Sequence, residues 1–377
     1  MKYLFLTATF LLTTFSCFAE IYYVKTTGND TSNDGRSWAA AFSTLQKSLE
    51  VCQYGDQIWV AEGTYKPTAY PAGAIPYTPP LTNRDKSFHL VNGVKIYGGF
   101  IGIEGAVSER TAGHETILSG DIGTENNDTD NCYHVVISVK DDSTTVLDGF
   151  TITKGKADGG SLSLPGTAIT LEGKPIGNAY GGGMFNVNTL LKINNCKFIL
   201  NSSNVFGGGV MNTDQSFTTL TNLTFTSNSS TDGGGMHNVD SSPILMNIIF
   251  SNNTAKFFGG GLTNRGNSFT NLANVIFSNN KAEAGGGMIN QGASPVLTYC
   301  TFLGNTAGFQ GGGMANWGNS TPKLTNVTFS GNSTIGDGGG MQNSSSSPIL
   351  INIIFVSNSA PSGRGGGYLI TIIPRQH

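Results

Sequence analysis

Carboxylates set close together can hold a divalent cation or divide into acid and base, so the acidic residues are the first to place. "DIGTENNDTD" at 121–130 gathers Asp121, Asp128 and Asp130, and Asp141 and Asp142 follow soon after. Either group has the oxygen chemistry of a calcium loop, although the plainer reading of both is a polar surface loop. Farther along, Asp214, Asp232, Asp240 and Asp337 are too spread out to work in pairs, and Arg265, Lys281 and Glu283 are scattered as solvated side chains are. His237 stands alone, which makes no ligand set. Cys52, Cys132, Cys196 and Cys300 lack the close pairs of a zinc site and are too sparse for a disulfide framework, so they read as small buried hydrophobes. No catalytic constellation emerges, and no cofactor is expected, calcium being the one candidate metal.

Glycine is the other pattern with chemical promise. A run such as "GGGMIN" at 285–290 cradles phosphate when a strand precedes it, a helix follows and a lysine with Ser/Thr closes the site. Nothing after Met288 supplies these. The triplet also recurs, beginning at Gly181, Gly207, Gly233, Gly259, Gly285, Gly311, Gly338 and Gly365, every 26 or 27 residues. A feature at fixed period is an architectural unit before it is a site, and here it reads as a corner that a Cβ would obstruct.

The rest of the period supports stacked coils. A phenylalanine followed three residues later by asparagine recurs as Phe198/Asn201, Phe225/Asn228, Phe250/Asn253, Phe277/Asn280, Phe302/Asn305, Phe329/Asn332 and Phe355/Asn358. An aliphatic or cysteine lies two residues before each Phe, and Leu or Ile five before, the alternation of short strands with one buried face. Stacking puts Phe on Phe and Asn on Asn, so Phe302 and Phe329 become rungs of an apolar ladder, and Asn305 and Asn332 rungs of an amide ladder. A second asparagine, Asn290 and its equivalents, ends the "GGGMIN" half. Triplet-to-Phe distances alternate between 17 and 18 residues, which makes the underlying unit a pair of coils with unlike corners.

Composition agrees. With 52 Gly and 13 Pro in 377 residues the chain is turn-rich, yet below low-complexity levels. A net charge of −3 with 12% charged residues leaves no footprint for nucleic acid and no polybasic membrane patch. The opening "MKYLFLTATFLLTTFSCFA" has the plan of a signal peptide (1–19), cut after Ala19 or, as a lipoprotein, before Cys17.

The pairing of "GGGM" or "GGGL" with "FxxN" resembles the repeats of the chlamydial polymorphic outer-membrane proteins. More broadly it is similar to secreted bacterial proteins of the pectin-lyase-like superfamily. The resemblance covers nearly the whole mature chain and implies an all-β fold, a right-handed parallel β-helix solenoid with coils of about 26 residues. Within it, 20–157 are expected to form an N-terminal cap and the first coils, with Trp38, Phe42, Leu45, Leu49 and Cys52 on one face of a capping helix. Residues 158–180 read as a projecting loop, 181–364 as the repeats, and 365–377 as an irregular, truncated end where Ile370 replaces the expected asparagine.

These observations favour a secreted or cell-surface monomer with an adhesive, ligand-binding or structural role toward surface carbohydrate or protein, associated with the outer membrane. The alternative is a polysaccharide lyase or glycoside hydrolase, which the resemblance allows, with its site in the 121–180 loops. A remnant without independent function is the third reading.

Overall fold

The computed structural model describes residues 19–77, 80–160 and 168–371. Residues 1–18, which hold most of the segment expected to be a signal peptide, and residues 78–79, 161–167 and 372–377 lie outside them. The chain winds into a right-handed parallel β-helix of three sheets. A main sheet of 17 strands carries the FxxN phenylalanines, a sheet of 10 strands carries the residues after each glycine triplet, and a narrow sheet of 7 strands joins them. Pairing is parallel and in register, so Phe198, Phe225, Phe250, Phe277, Phe302, Phe329 and Phe355 lie on successive rungs. Their rings stack at centroid distances from 4.6 to 5.0 Å. One apolar core runs from Tyr22 to Met341 through every coil.

Polar groups inside the coil are satisfied by repetition. The side chain of Asn305 donates to Phe277 O at 2.9 Å and Asn332 Oδ1 at 2.9 Å, and accepts from the backbone N and the Nδ2 of Asn280, both at 3.0 Å. Asn332 repeats the pattern toward Asn358. A second buried column carries Asn264 Nδ2 to Asn290 Oδ1 at 3.1 Å and Asn290 Nδ2 to Asn316 Oδ1 at 2.8 Å. A third, which the sequence reading did not anticipate, is built from hydroxyls: Ser216 N donates to Ser241 Oγ at 3.1 Å and Ser320 N to Ser346 Oγ at 3.2 Å.

The three glycines of a triplet have separate causes. Gly285 sits at φ +64°, a left-handed conformation. A Cβ on Gly286 would lie 2.5 Å from the carbonyl oxygens of Gly312 and Thr306, and one on Gly287 2.7 Å from that of Gly313. The corner is thus also a close approach of backbones from adjacent coils. Corners on the far side of the ten-stranded sheet differ from coil to coil: Asp240, Gly266 and Gly292 turn alone at φ 46°, 64° and 67°, whereas Asp214 with Gln215, and Gly318 with Asn319, turn as left-handed pairs.

Three expectations need correction. The capping helix, α1, spans only Leu45–Val51, with the Thr44 hydroxyl accepting from Lys47 N at 3.2 Å. Trp38 and Phe42 precede it, Phe42 bridging to Val24, so α1 covers the first coil with Leu45 and Leu49. The segment read as a projecting loop holds an antiparallel hairpin, Ala168–Leu171 with Lys174–Gly177, which pairs with Ile75–Pro76 and packs back on the solenoid. The end read as irregular continues the ten-stranded sheet: Tyr368–Thr371 pairs in register with Met341–Ser344, and Ile370 takes the position opposite Asn343. The ten-stranded sheet is, moreover, buried on both faces. Met184 and Val210 point into the core, while Phe185, Met211 and His237, one position on, pack outward under Tyr180 and Phe206.

Candidate functional site

The residues that gather into a cleft come from the coils before the regular repeats. Strands Lys95–Phe100, Val146–Asp148 and Lys192–Asn194 run side by side in the main sheet, as do Thr116–Ser119, Phe150–Thr153 and Lys197–Ile199. Between Phe100 and Thr116 the chain leaves the coil, makes the short helical turn Val107–Glu109 and returns. This excursion forms one wall of a 520 Å³ cleft whose floor is the outer face of the sheet. Arg110, His114 and Glu115 come from the wall; Asp148, Asn195 and Lys197 come from the floor.

Arg110 is fixed by three acceptors. Its Nη1 lies 2.9 Å from Asp148 Oδ1 and 2.8 Å from Gly98 O, and its Nε 3.1 Å from Val107 O. Gly149, at φ +86°, makes room for it, because a Cβ there would meet Gly98 O at 2.7 Å and the guanidinium at 2.8 Å. Asp148 also accepts from Asn195 Nδ2 at 3.2 Å. Lys197 is different. Its ammonium pairs with Glu115 Oε1 at 2.6 Å, with both side chains about half exposed, and an exposed pair of this kind holds by ~1 kcal/mol or less. His114 Nδ1 lies 2.7 Å from Glu62 Oε2 at the rim. The cleft therefore presents one immobilised cation, one exchangeable cation and one imidazole.

The loops singled out from the sequence are organised otherwise. Asp121 is paired with Lys154 at 2.7 Å and Asp128 with Lys156 at 2.7 Å, the lysines arriving from the next coil. Burial pushes the Asp121 carboxyl up, but the Lys154 ammonium and the Asn126 amide outweigh it and hold the pKa below the usual range. Asp130 accepts from Thr124 N at 2.8 Å, and Asp142 from Thr144 N at 2.7 Å. Asp141 is buried with the Ser138 hydroxyl donating to it at 2.5 Å, and burial raises its pKa to about 7. Among the described residues no three His, Cys, Asp or Glu side chains gather as a metal-holding group. His237 is buried flat against Phe206, ring centroids 4.3 Å apart, and burial lowers its pKa to about 3. Asp232, with burial raising its pKa to about 6, lies on the same outer layer, while Asp337 binds Arg364 N at 2.7 Å. The four cysteines are free and buried. Gly285, Asn290, Phe302, Asn305, Phe329 and Asn332 serve the ladders and corners, away from the cleft.

Sequence reasoning missed the cleft because its pairs join residues 38 and 82 positions apart, across coils of irregular length. One signal was available: "VLDGF" at 146–150 aligns with "KINNC" at 192–196, placing Asp148 on an outward position beside the later asparagines.

No family model and no curated protein matches the chain. Among solved structures it is similar to the pectate lyase Pel9A, with a TM-score of 0.44 and 10% identity over 92% of this chain and 78% of that one. It is also similar to a rhamnogalacturonan lyase, with a TM-score of 0.34 and 15% identity over 87% and 75% of the two chains. For the complex of XylC with xylose the TM-score is 0.28 and the identity 8%, over 86% and 69%. Its stacked parallel sheets form a parallel β-helix.

Proposed function

We propose that this is a secreted or cell-surface protein that takes a stretch of acidic polysaccharide in the Arg110 cleft and cleaves it by elimination. The observation that supports it is the set of three nitrogen side chains, the cations Arg110 and Lys197 and the imidazole of His114, lining one open cleft above a regular sheet. A uronate carboxylate has the chemistry of Glu115 and can displace it from Lys197 at little cost, because that pair is exposed. Arg110, held in place by Gly98 and Asp148, would then neutralise charge that develops on the uronate as the proton beside its carboxylate is removed. His114, in its neutral form, would be the base, since Lys197 as the ammonium that holds the uronate has no lone pair to offer. The proton passes to that base, a carbon–carbon double bond forms, and the glycosidic C–O bond breaks, the leaving oxygen taking a proton from water.

A second reading, adhesion without cleavage, has its own observation: both cations and the imidazole already have a carboxylate partner, which suits retention of a polymer better than proton removal. The two separate in one experiment. The protein is incubated with polygalacturonate, a rhamnogalacturonan and neutral glycans, with and without calcium, and the ultraviolet absorbance of unsaturated ends is followed beside retention on the polymer. New absorbance that disappears in Lys197→Ala and Arg110→Ala supports the lyase. Retention without new ends supports adhesion, and neither outcome on any acidic polymer refutes the cleft as an anion site.

A further inference from the structure

Three residues before its phenylalanine, every regular coil bends the main sheet through a residue in the left-handed region. Asparagine fills the bend at 195, 222, 247, 274, 326 and 352, with φ between 52° and 58°. Asn tolerates that conformation because its short amide bonds locally, whereas a bulky side chain there is an outlier. The fifth coil breaks the rule, with Tyr299 at φ 55°.

The exception also interrupts a hydrogen-bonded column on the surface. Asn222 Nδ2 donates to Asn195 Oδ1 at 3.1 Å, Asn247 to Asn222 at 3.0 Å and Asn274 to Asn247 at 3.2 Å; beyond the gap, Asn352 donates to Asn326 at 3.1 Å. Tyr299 therefore leaves Asn274 Oδ1, an acceptor, and Asn326 Nδ2, a donor, without a partner among the described residues on either side of it. Tyr299 is 63% exposed, and Ile276 and Leu303 are exposed on the main-sheet strands of the same coil and the one before it. In the main sheet, the strands of its coil and of both neighbours carry one charge, Lys323, at the far end of its strand.

We propose that Tyr299, with Asn274 and Asn326, is a subsite for a neutral pyranose ring of a polysaccharide lying along the solenoid axis. The aromatic face meets the apolar C–H face of the sugar, and the two open amide atoms meet hydroxyls at its edge. Lack of nearby charge sets this subsite apart from the Arg110 cleft, which lies four coils away, about 19 Å at ~4.8 Å per coil. A strained, exposed aromatic where six coils hold Asn is accounted for by contact with a ligand, since nothing within the fold gains from it.

The test is electrophoresis of the full chain through gels containing neutral β-glucan, xylan or galactomannan. The wild type is expected to be retarded in at least one, Tyr299→Phe to keep the retardation, and Tyr299→Asn to bind roughly tenfold more weakly. Tyr299→Asn restores the amide column, so it should melt no lower than the wild type and its loss cannot be blamed on unfolding. The proposal is overturned if the wild type is retarded in no neutral gel, if Tyr299→Asn runs like the wild type, or if Tyr299→Phe loses as much as Tyr299→Asn. The cleft is scored separately, on polygalacturonate with its own variants, so one reading can fail without the other.

Discussion

Replacing Asn305 by alanine tests whether the inner amide column holds the coils together. The side chain makes four hydrogen bonds at 2.9 to 3.0 Å in a position with no solvent exposure. Alanine leaves the backbone N–H of Asn280 without its acceptor, takes one donor each from Phe277 O and Asn332 Oδ1, and opens a small cavity. An unsatisfied buried group costs ~1–3 kcal/mol, and the weakened partners and cavity bring the expected loss to about 3–5 kcal/mol. The control is Asn271→Ala, at an exposed strand position with no side-chain hydrogen bond, where the change should stay within about 0.5 kcal/mol. Urea unfolding followed by circular dichroism reads both. In a solenoid the coils flanking Asn305 should loosen first, so a broadened or split transition is also expected. A midpoint for Asn305→Ala no lower than that of Asn271→Ala would refute the reasoning and reduce the column to a by-product of repetition.

Gly286→Ala places a methyl 2.5 Å from two backbone oxygens that cannot move independently, so it should abolish soluble expression or give a chain cut rapidly by protease in the native state. Asp141 supplies a pH test. Folded, burial keeps its proton until about pH 7, while the unfolded chain releases it near 3.8, so the folded state binds more protons between these values and stability falls as pH rises through that window. Asp141→Asn should therefore match the wild type near pH 4 and exceed it by on the order of a few kcal/mol above pH 7 in denaturant titrations; an equal gain at every pH would contradict the assignment. Partly buried His89 and buried His134, both lowered by desolvation to about 4, act in the opposite sense, withdrawing stability as pH falls below 6.5, and should be unaffected by the change. Burial raises the thiols of Cys52, Cys132 and Cys196 to about 12 and that of Cys300 to about 11, so none of the four should react with a thiol reagent until the protein is denatured.

What could be read from the sequence was whatever translation along the axis repeats. Phe302 must lie on Phe329, and Asn305 on Asn332, because the same side chain returns at the same register and each rung is buried by its neighbours. The unlike corners were legible for the same reason, as alternating spacings. What could not be read depends on contacts without a period. The hairpin at 168–177 is defined by its pairing to Ile75–Pro76, nearly a hundred residues upstream. The outer layer over the ten-stranded sheet needs Phe206 to reach His237 across a corner, which strand alternation treats as a turn to solvent. The ion pairs of the acidic loop could not be read either, because Lys154 and Lys156, which pair with Asp121 and Asp128, belong to a different rung. Arg110 met Asp148 only once the excursion between Phe100 and Thr116 had folded back.

The in-register stacking has a mechanical consequence. Pulling the two ends of the solenoid apart loads one coil at a time, since each coil is bonded only to the next and the terminal one bears the force alone. Every regular coil detached breaks nearly the same set of backbone bonds, one inner amide rung and one phenylalanine stack. Extension should therefore proceed at nearly constant force in equal steps, each freeing a coil of about 26 residues, or about 90 Å of chain at ~3.4 Å per residue.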